Sequence, residues 1–327
     1  MWNEPEGNSS SYRVQWSDGN VTKSENVTET QINISNLTAG VQYDINVTAV
    51  AGDGSTEGQS TTVSQYTKPE VVRNISVTEI TTSSISVMWN EPEGNSSSYR
   101  VQWSDGNVTK SENVTETQIT ISNLTAGVQY DINVTAVAGD GSTEGQSTTV
   151  SPYTKPGNIW GPTYTRNTSS ISLNWTQPPG EVLLYRVEWD HGGAKTIRDT
   201  NNLFAVLSDL IPGTSYNILI IAVAGDNKTT GDPHQLTIVT KPEVVRNISV
   251  TEITTSSISV MWNEPEGNSS SYRVQWSDGN VTKSENVTET QITISNLTAG
   301  VQYDINVTAV AGDGSTEGQS TTVSQYT

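Results

Sequence analysis

The chain of 327 residues contains no cysteine and few basic residues, and each deficit excludes a class of function. Without cysteine there is no disulfide, no thiolate nucleophile and no Cys-ligated metal. Only 16 Lys and Arg stand against 35 Asp and Glu, which gives a formal net charge of −19. Because a phosphate-binding face needs clustered cations, we expect no nucleic-acid partner.

Long apolar stretches and histidines are also scarce. The longest apolar run, 218–224, is far shorter than the about 20 residues of a membrane helix, so no direct membrane insertion by this segment is expected. His191 and His234 are the only histidines, and Glu91 and Glu93 flank a proline in a predicted turn. We therefore predict surface roles for these four residues, with no catalytic residue, no metal site and no cofactor.

The most prominent feature of the sequence is a long internal repeat. Trp2, Trp89, Trp175 and Trp262 recur at spacings of 87, 86 and 87 residues. A second tryptophan and a tyrosine occupy matching positions in every copy, so we predict that these aromatics form the cores. The predicted core residues of the complete copies are Trp89, Trp103, Tyr130, Trp175, Trp189, Tyr216, Trp262, Trp276 and Tyr303.

The repeat predicts four domains, named repeats 1 to 4: residues 1–67, 68–154, 155–240 and 241–327. Repeats 2 and 4 differ only at Pro152 against Gln325, whereas repeat 3 has diverged widely. Met1 aligns with Met88 and Met261, so repeat 1 is expected to lack its first strand and most of its second. We therefore expect it to expose sheet edge and core, and to be the least stable copy.

Within a repeat, apolar residues alternate with polar ones, as in Ile85, Val87 and Trp89. Strict alternation is typical of antiparallel strands that bury one face. Glycine-containing turns such as 105–106 interrupt the pattern at short intervals. The sequence predicts an all-β fold with about seven short strands per complete repeat, packed as a β-sandwich.

Specific motifs carry a family resemblance. The segment Ser-Ile-Ser-Val-Met-Trp-Asn-Glu-Pro at 84–92 resembles the second strand of a fibronectin type III domain, which has an immunoglobulin-like sandwich fold. The segment Leu-Ile-Pro-Gly-Thr-Ser-Tyr at 210–216 matches that family's corner motif, and repeat 2 has Leu-Thr-Ala-Gly-Val-Gln-Tyr at 124–130. The resemblance implies that the corner tyrosine is partly buried and that its hydroxyl meets nearby backbone.

The linkers are short, each a Thr-Lys-Pro at 67–69, 154–156 and 240–242. Proline restricts the backbone, so we expect a semi-rigid rod with a length on the order of 100 Å, from strands rising about 3.3 Å per residue. The loop 138–145 between the last two strands of repeat 2 contains no Arg-Gly-Asp triplet. We predict a plain hairpin connection there rather than a ligand-binding tip.

Twenty-one Asn-x-Ser/Thr sequons make glycosylation the main candidate modification. The candidates are Asn20, Asn36, Asn46, Asn74, Asn107, Asn123, Asn133, Asn167, Asn174, Asn227, Asn247, Asn280, Asn296 and Asn306. Duplication and an Asn- and Thr-rich composition also produce such triplets by accident. Two arguments favour glycosylation. In 133–135 the apolar middle residue should point inward, leaving Asn and Thr on the wet face. In repeat 3, three sequons appear at new positions.

Sequon density and the segment Val-Thr-Ala-Val-Ala-Gly-Asp-Gly at 134–141 are similar to ectodomains of receptor-type tyrosine phosphatases. That resemblance implies a non-catalytic rod on the extracellular side of the plasma membrane, which binds a protein ligand or a neighbouring receptor and holds it at a distance. Two alternatives stay open: a secreted matrix or adhesion protein of the tenascin or fibronectin kind, and spacer modules of a carbohydrate-active enzyme.

Overall fold

The computed structural model describes residues 1–191 and 193–327, apart from the side chains of His191 and Ala194. In that part of the chain every regular element is a β-strand, and the strands pair antiparallel, which confirms the predicted all-β class. The chain divides into two compact units, Met1–Lys155 and Pro156–Thr327.

The first unit holds repeats 1 and 2. Repeat 1 forms a single sheet in the order β2-β1-β3-β4. Its strands are β1 (Ser11–Ser17), β2 (Thr22–Val27), β3 (Gln42–Val50) and β4 (Glu57–Tyr66). Repeat 2 has two sheets, β5-β6-β9 and β11-β10-β7-β8. These strands are β5 (Arg73–Ile80), β6 (Ser84–Asn90), β7 (Ser98–Ser104), β8 (Thr109–Val114), β9 (Gln118–Ser122), β10 (Asp131–Val137) and β11 (Glu144–Val150).

The second unit holds repeats 3 and 4, each with a three-stranded and a four-stranded sheet. Repeat 3 contains β12 (Trp160–Arg166), β13 (Ile171–Thr176), β14 (Leu184–His191), β15 (Ala194–Thr200), β16 (Phe204–Leu207), β17 (Ser215–Val223) and β18 (His234–Val239). Repeat 4 contains β19 (Arg246–Ile253), β20 (Ser257–Asn263), β21 (Ser271–Ser277), β22 (Thr282–Val287), β23 (Gln291–Ser295), β24 (Gln302–Val310) and β25 (Glu317–Tyr326). Each complete repeat therefore has the seven strands expected.

The sandwich cores lie between the two sheets of each complete repeat. Along the strands that line a core, alternate residues point inward, and Trp89 in the core of repeat 2 is only 1% exposed. Its ring meets Tyr99 edge-on, with centroids 5.3 Å apart. The same pair recurs in repeats 3 and 4. Most predicted core aromatics are buried, namely Trp89, Trp103, Tyr130, Trp175, Trp189, Tyr216, Trp262 and Tyr303, whereas Trp276 is half-buried.

Repeat 1 is half a sandwich. All of residues 1–67 are described, and they form no counterpart of the sheet β5-β6-β9. Residues 31–35 match β9 in sequence position but are not a strand, and they pair with none of the strands of repeat 1. Val47 and Ala49 are therefore half-buried and line an open cleft with Trp2 and Tyr12. The equivalent Val307 is fully buried.

A single substitution separates repeats 2 and 4, and it changes strand length. Gln325 lies in β25 and pairs with Tyr303. Pro152 occupies the same position in repeat 2, where β11 ends at Val150 and only an isolated bridge lies beyond it. Proline has no amide hydrogen to donate to the ladder, so the strand ends before it.

Within each unit, the turn just before the corner tyrosine of one repeat contacts the next repeat. The carbonyl oxygen of Ala39 accepts a hydrogen bond from Asn95 N (2.9 Å), and that of Pro212 accepts one from Asn268 N (3.0 Å). Gly213 has φ +65°, and a Cβ there would lie 1.8 Å from Asn268 O. The joint between repeats 3 and 4 therefore requires glycine at this corner.

Candidate functional site

In the part of the chain that the structure describes, the residues with catalytic potential do not assemble into a site. Among the described residues no group of three or more His, Cys, Asp or Glu could hold a metal ion. Glu93 forms a surface ion pair with Arg73 (3.0 Å) and not a carboxylate pair with Glu91. His234 begins β18 beside an open cleft with Trp160, and the side chain of His191 lies outside the described residues. Glu91 and Glu93 are exposed, and His234 is half-buried.

The loop after β10 is a self-contained turn. Asp140 Oδ1 accepts hydrogen bonds from Ser142 N (3.0 Å) and Thr143 N (2.8 Å), and Oδ2 accepts one from Thr143 Oγ1 (2.6 Å). The hydrogen bond from the Thr143 hydroxyl contributes most to lowering the pKa of Asp140, and the backbone hydrogen bonds from Thr143 and Ser142 lower it further. The carboxylate of Asp140 is thus occupied by hydrogen bonds within its own turn.

The same turn in repeat 4 shows competing effects on its aspartate. Burial acts to raise the pKa of Asp313, but hydrogen bonds from Thr316 and Ser315 outweigh it and lower the pKa to about 2. This carboxylate therefore stays ionised over the whole physiological range.

The candidate glycosylation residues are mostly exposed. Asn46, Asn133 and Asn306 are half-buried, and the other eleven candidates are exposed. Exposure alone does not explain why asparagine occupies these positions, because the backbone also selects residue types. The backbone conformations of the candidates distinguish the two explanations.

Six candidates have a left-handed backbone with φ between 52° and 59°: Asn36, Asn74, Asn123, Asn227, Asn247 and Asn296. Asparagine tolerates this region better than other non-glycine residues. The residue of repeat 3 that matches Asn123 is Asp209, also at φ 59°, where the sequon is lost but the conformation is kept. Asparagine at these six positions therefore has a backbone reason that is independent of sugar.

The candidates in strand β10 and its equivalents require a correction. Val134 is fully buried as expected, but Thr135 is only 7% exposed and does not lie on a wet face. Arg100 lies opposite Thr135 in register and forms an ion pair with Glu144. Asn133 Oδ1 also accepts a hydrogen bond from Thr149 Oγ1. Two-residue alternation predicts which side of the sheet a residue faces, but it does not predict which side chains cover that side.

The new sequons of repeat 3 are not equivalent. Asn167 Oδ1 accepts bonds from Ser169 N (2.9 Å) and Ser170 N (2.6 Å), as Thr81 Oγ1 does for the equivalent turn of repeat 2. Asn227 replaces Gly141 at a left-handed position. Asn174, in contrast, is an exposed residue within β13, and its side chain makes no hydrogen bond to any described residue. It is the new sequon for which the backbone offers no explanation.

The corner tyrosines define the class of protein. Thr125 N donates to Tyr130 Oη (3.0 Å), Ile211 N to Tyr216 Oη (2.8 Å) and Thr298 N to Tyr303 Oη (3.2 Å). Such a corner in a two-sheet antiparallel sandwich is a hallmark of immunoglobulin-like folds. The model of the fibronectin type III domain matches residues 1–66, 68–152, 156–237 and 241–326. The chain belongs to the fibronectin type III family, whose domains are not catalytic.

Its relatives among curated proteins are large. It is 31% identical to receptor-type tyrosine-protein phosphatase eta of Gallus gallus over 99% of this chain and 24% of that protein. It is 31% identical to receptor-type tyrosine-protein phosphatase H of Homo sapiens over 94% of this chain and 29% of that protein. Tenascin-R of Mus musculus is 25% identical over 86% of this chain and 21% of that protein. The chain thus spans less than a third of each relative's length.

Within the described part of the chain, no helix is long and apolar enough to cross a bilayer.

Proposed function

We propose that this chain is part of the ectodomain of a cell-surface receptor of the receptor-type tyrosine phosphatase kind. The match to phosphatase eta over 99% of the chain supports this proposal most directly. The chain would act on the extracellular side of the plasma membrane by binding a protein ligand or a neighbouring receptor. Its tandem repeats on short proline-containing linkers would also set the distance between that ligand and the membrane.

The chemistry of such a receptor would lie outside this chain. Phosphoryl transfer from tyrosine by a cysteine enzyme needs a reactive thiolate, and the 327 residues contain no cysteine. A catalytic domain in the same protein would act inside the cell, and these repeats would control where the receptor is and what it contacts.

A second candidate is a secreted matrix or adhesion protein. The similarity to Tenascin-R over 86% of this chain favours it. Both candidates place the repeats outside the cell, and both predict N-glycans on exposed sequons. They differ in the segments that lie beyond the repeats in the complete protein.

The complete coding sequence distinguishes the two candidates. A membrane-spanning segment with a tyrosine phosphatase domain after it supports the receptor. Further repeats without a membrane-spanning segment contradict the receptor and favour the matrix protein.

Secretion from eukaryotic cells provides a second test. We expect the secreted chain to lose mass on treatment with a peptide N-glycosidase, whereas the bacterial product should not change. A secreted chain whose mass does not change would contradict the proposed glycosylation.

A further inference from the structure

Strands β13 and β16 place a sequon asparagine directly beside an exposed aromatic ring. Asn174 and Phe204 are register partners in the antiparallel pair. Trp175 N donates to Leu203 O (3.0 Å), which makes the Asn174–Phe204 pair a non-hydrogen-bonded one. In such pairs the side chains are closest, with Cβ atoms about 4.5–5.5 Å apart. The two side chains therefore leave the same face of the sheet as nearest neighbours.

The exposure of this ring calls for an explanation. Phe204 is the only phenylalanine of the chain, and the residue is 52% exposed. Val206 beside it on the same face is 41% exposed. A phenylalanine that stays half-exposed gives up part of the hydrophobic stabilisation that full burial of its ring would provide.

The sequon and the aromatic ring occur together in repeat 3 and are both absent from the equivalent positions of repeats 2 and 4. In repeat 2 the equivalent register pair is Met88 and Gln118. Repeat 4 has the same two residue types at Met261 and Gln291. Those copies have neither a sequon nor an aromatic at this place, whereas repeat 3 has both.

We propose that Phe204 is the packing platform for the first N-acetylglucosamine of an N-linked glycan on Asn174. This inference rests on the extracellular, glycosylated function proposed above. The sugar is joined when Asn174 Nδ2 attacks C1 of a lipid pyrophosphate-linked oligosaccharide. The Nδ2–C1 bond forms, the C1–O bond to pyrophosphate breaks, and Nδ2 loses one proton. The lipid-linked donor and its transferase belong to the secretory pathway of the host cell.

The chemistry of the two surfaces is complementary. The face of an aromatic ring carries partial negative charge, and the C–H groups on one face of a pyranose carry partial positive charge. A sugar on Asn174 would exclude water from the ring while its hydroxyls stay solvated. A protein partner on Phe204 and Val206 is the competing occupant, but a glycan on the neighbouring asparagine would obstruct it. The sequon in the register pair favours the sugar.

The test uses the full chain secreted from eukaryotic cells. Peptide mass spectrometry first measures occupancy at Asn174. Endoglycosidase H, applied to high-mannose protein, leaves a single N-acetylglucosamine on the asparagine, which is the sugar that the proposal requires. Hydrogen exchange at the Trp175 amide, which donates across the β13–β16 pair, then reports local opening of this strand pair.

We expect F204A to accelerate Trp175 exchange about fivefold more in the protein with one retained sugar than in N174Q. Aromatic contacts contribute about 0.5–1.5 kcal/mol, which corresponds to roughly twofold to tenfold. I197A provides a matched control, because Ile197 is similarly exposed at 53% but lies on β15 in the other sheet. Its effect should be the same with and without sugar.

A transplant into repeat 2 tests sufficiency. The double substitution M88N and N90T creates the same sequon opposite Gln118. Adding Q118F should slow exchange at the Trp89 amide, the equivalent of the Trp175 amide, only when the new asparagine carries sugar. Equal effects of F204A with and without sugar, or of Q118F with and without the sequon, would overturn the proposal.

Occupancy at Asn174 distinguishes failure of the platform from failure of the extracellular function. An unmodified Asn174 in a protein glycosylated at other sequons would refute the platform and leave the proposed extracellular function intact. Absence of sugar from every sequon would contradict both. If a protein partner binds F204A as well as it binds the unsubstituted chain, that partner does not occupy the Phe204 surface. If instead binding of the partner is lost in F204A but unaffected by N174Q, Phe204 is a protein-binding residue, and the proposed packing of a sugar on it is contradicted.

Discussion

The backbone amide of Thr125 donates a hydrogen bond to the hydroxyl of Tyr130 five residues later, over 3.0 Å. The bond closes the corner between β9 and β10 and recurs in all four repeats. Because the hydroxyl accepts from an amide that has left the ladder, it satisfies a backbone donor that has no strand partner.

Tyr130→Phe should therefore destabilise repeat 2 by about 1 kcal/mol, since the Thr125 amide loses its acceptor while ring packing is kept. Denaturant unfolding and exchange at the Thr125 amide would measure this. Tyr164→Phe is the control, because Tyr164 is 44% exposed and should tolerate the change. An unchanged Thr125 exchange rate in the Tyr130 variant would contradict the proposed role of the corner bond.

The open face of repeat 1 predicts uneven stability. Val307→Ala should destabilise repeat 4 by on the order of 2 kcal/mol, because it removes fully buried methyl groups. Val47→Ala should cost clearly less, since Val47 is only half-buried in the single sheet. Hydrogen exchange should also be faster in residues 11–66 than in 271–326. Equal protection of these two nearly identical segments would contradict a destabilising effect of the missing sheet.

The asparagines with left-handed backbone allow the effect of conformation on stability to be measured apart from the effect of glycosylation. In bacterially produced protein, which carries no N-glycan, Asn123→Ala should cost about 1–2 kcal/mol because alanine is disfavoured at φ 59°. Asn123→Asp should cost much less, since Asp209 adopts the same φ in repeat 3. Chemical denaturation would compare them. Similar losses of stability in both variants would show that the side-chain amide, and not the backbone conformation, selects asparagine at this position.

The corner glycine of repeat 3 tests the joint with repeat 4. Gly213→Ala should break the hydrogen bond from Asn268 N to Pro212 O, because the new Cβ would collide with Asn268 O. Gly300→Ala is the matched control, with a similar φ of +72° and no neighbour within 4 Å. Exchange at the Asn268 amide should rise only in the Gly213 variant. A rise of equal size in both would point to backbone strain alone.

The turn aspartates predict an acid dependence of stability. The pKa of Asp313 is lowered to about 2 in the folded state, whereas an unfolded aspartate has a pKa of about 3.9. The folded state therefore gains stability from this group above about pH 4 and loses it as the pH falls towards 2.

In thermal unfolding, Asp313→Asn should be less stable than the unsubstituted chain at pH 7, and the difference should shrink below pH 4. Glu289→Gln, which removes a carboxylate outside this turn, is the control. A difference that stays constant down to pH 2 would mean that the charge of Asp313 does not stabilise the turn.

Much of the fold could be predicted from residue spacing. Alternation at Ile85, Val87 and Trp89 reports which side of a strand is buried, because successive side chains leave opposite faces. The recurring Trp and Tyr positions identify the copies and their cores. Both patterns are local in the sequence, so they can be recognised without knowing which strand pairs with which.

The identity of the candidate sites was less predictable. Thr135 was expected to be solvent-exposed, but it is only 7% exposed and lies opposite the ion-paired Arg100 of the neighbouring strand. Likewise the sequence does not reveal that Asn174 and Phe204 are neighbours, since thirty residues separate them and one step of register would put them on opposite faces.

The amino-acid order by itself determined the all-β class, the four copies and the absence of thiol chemistry, because composition and two-residue periodicity act within each strand. Tertiary structure decided which asparagines adopt left-handed backbone, which hydroxyls are covered and where residues 31–35 fail to form a strand. Those outcomes depend on partners distant in the chain, and a strand without its partner cannot satisfy its own backbone.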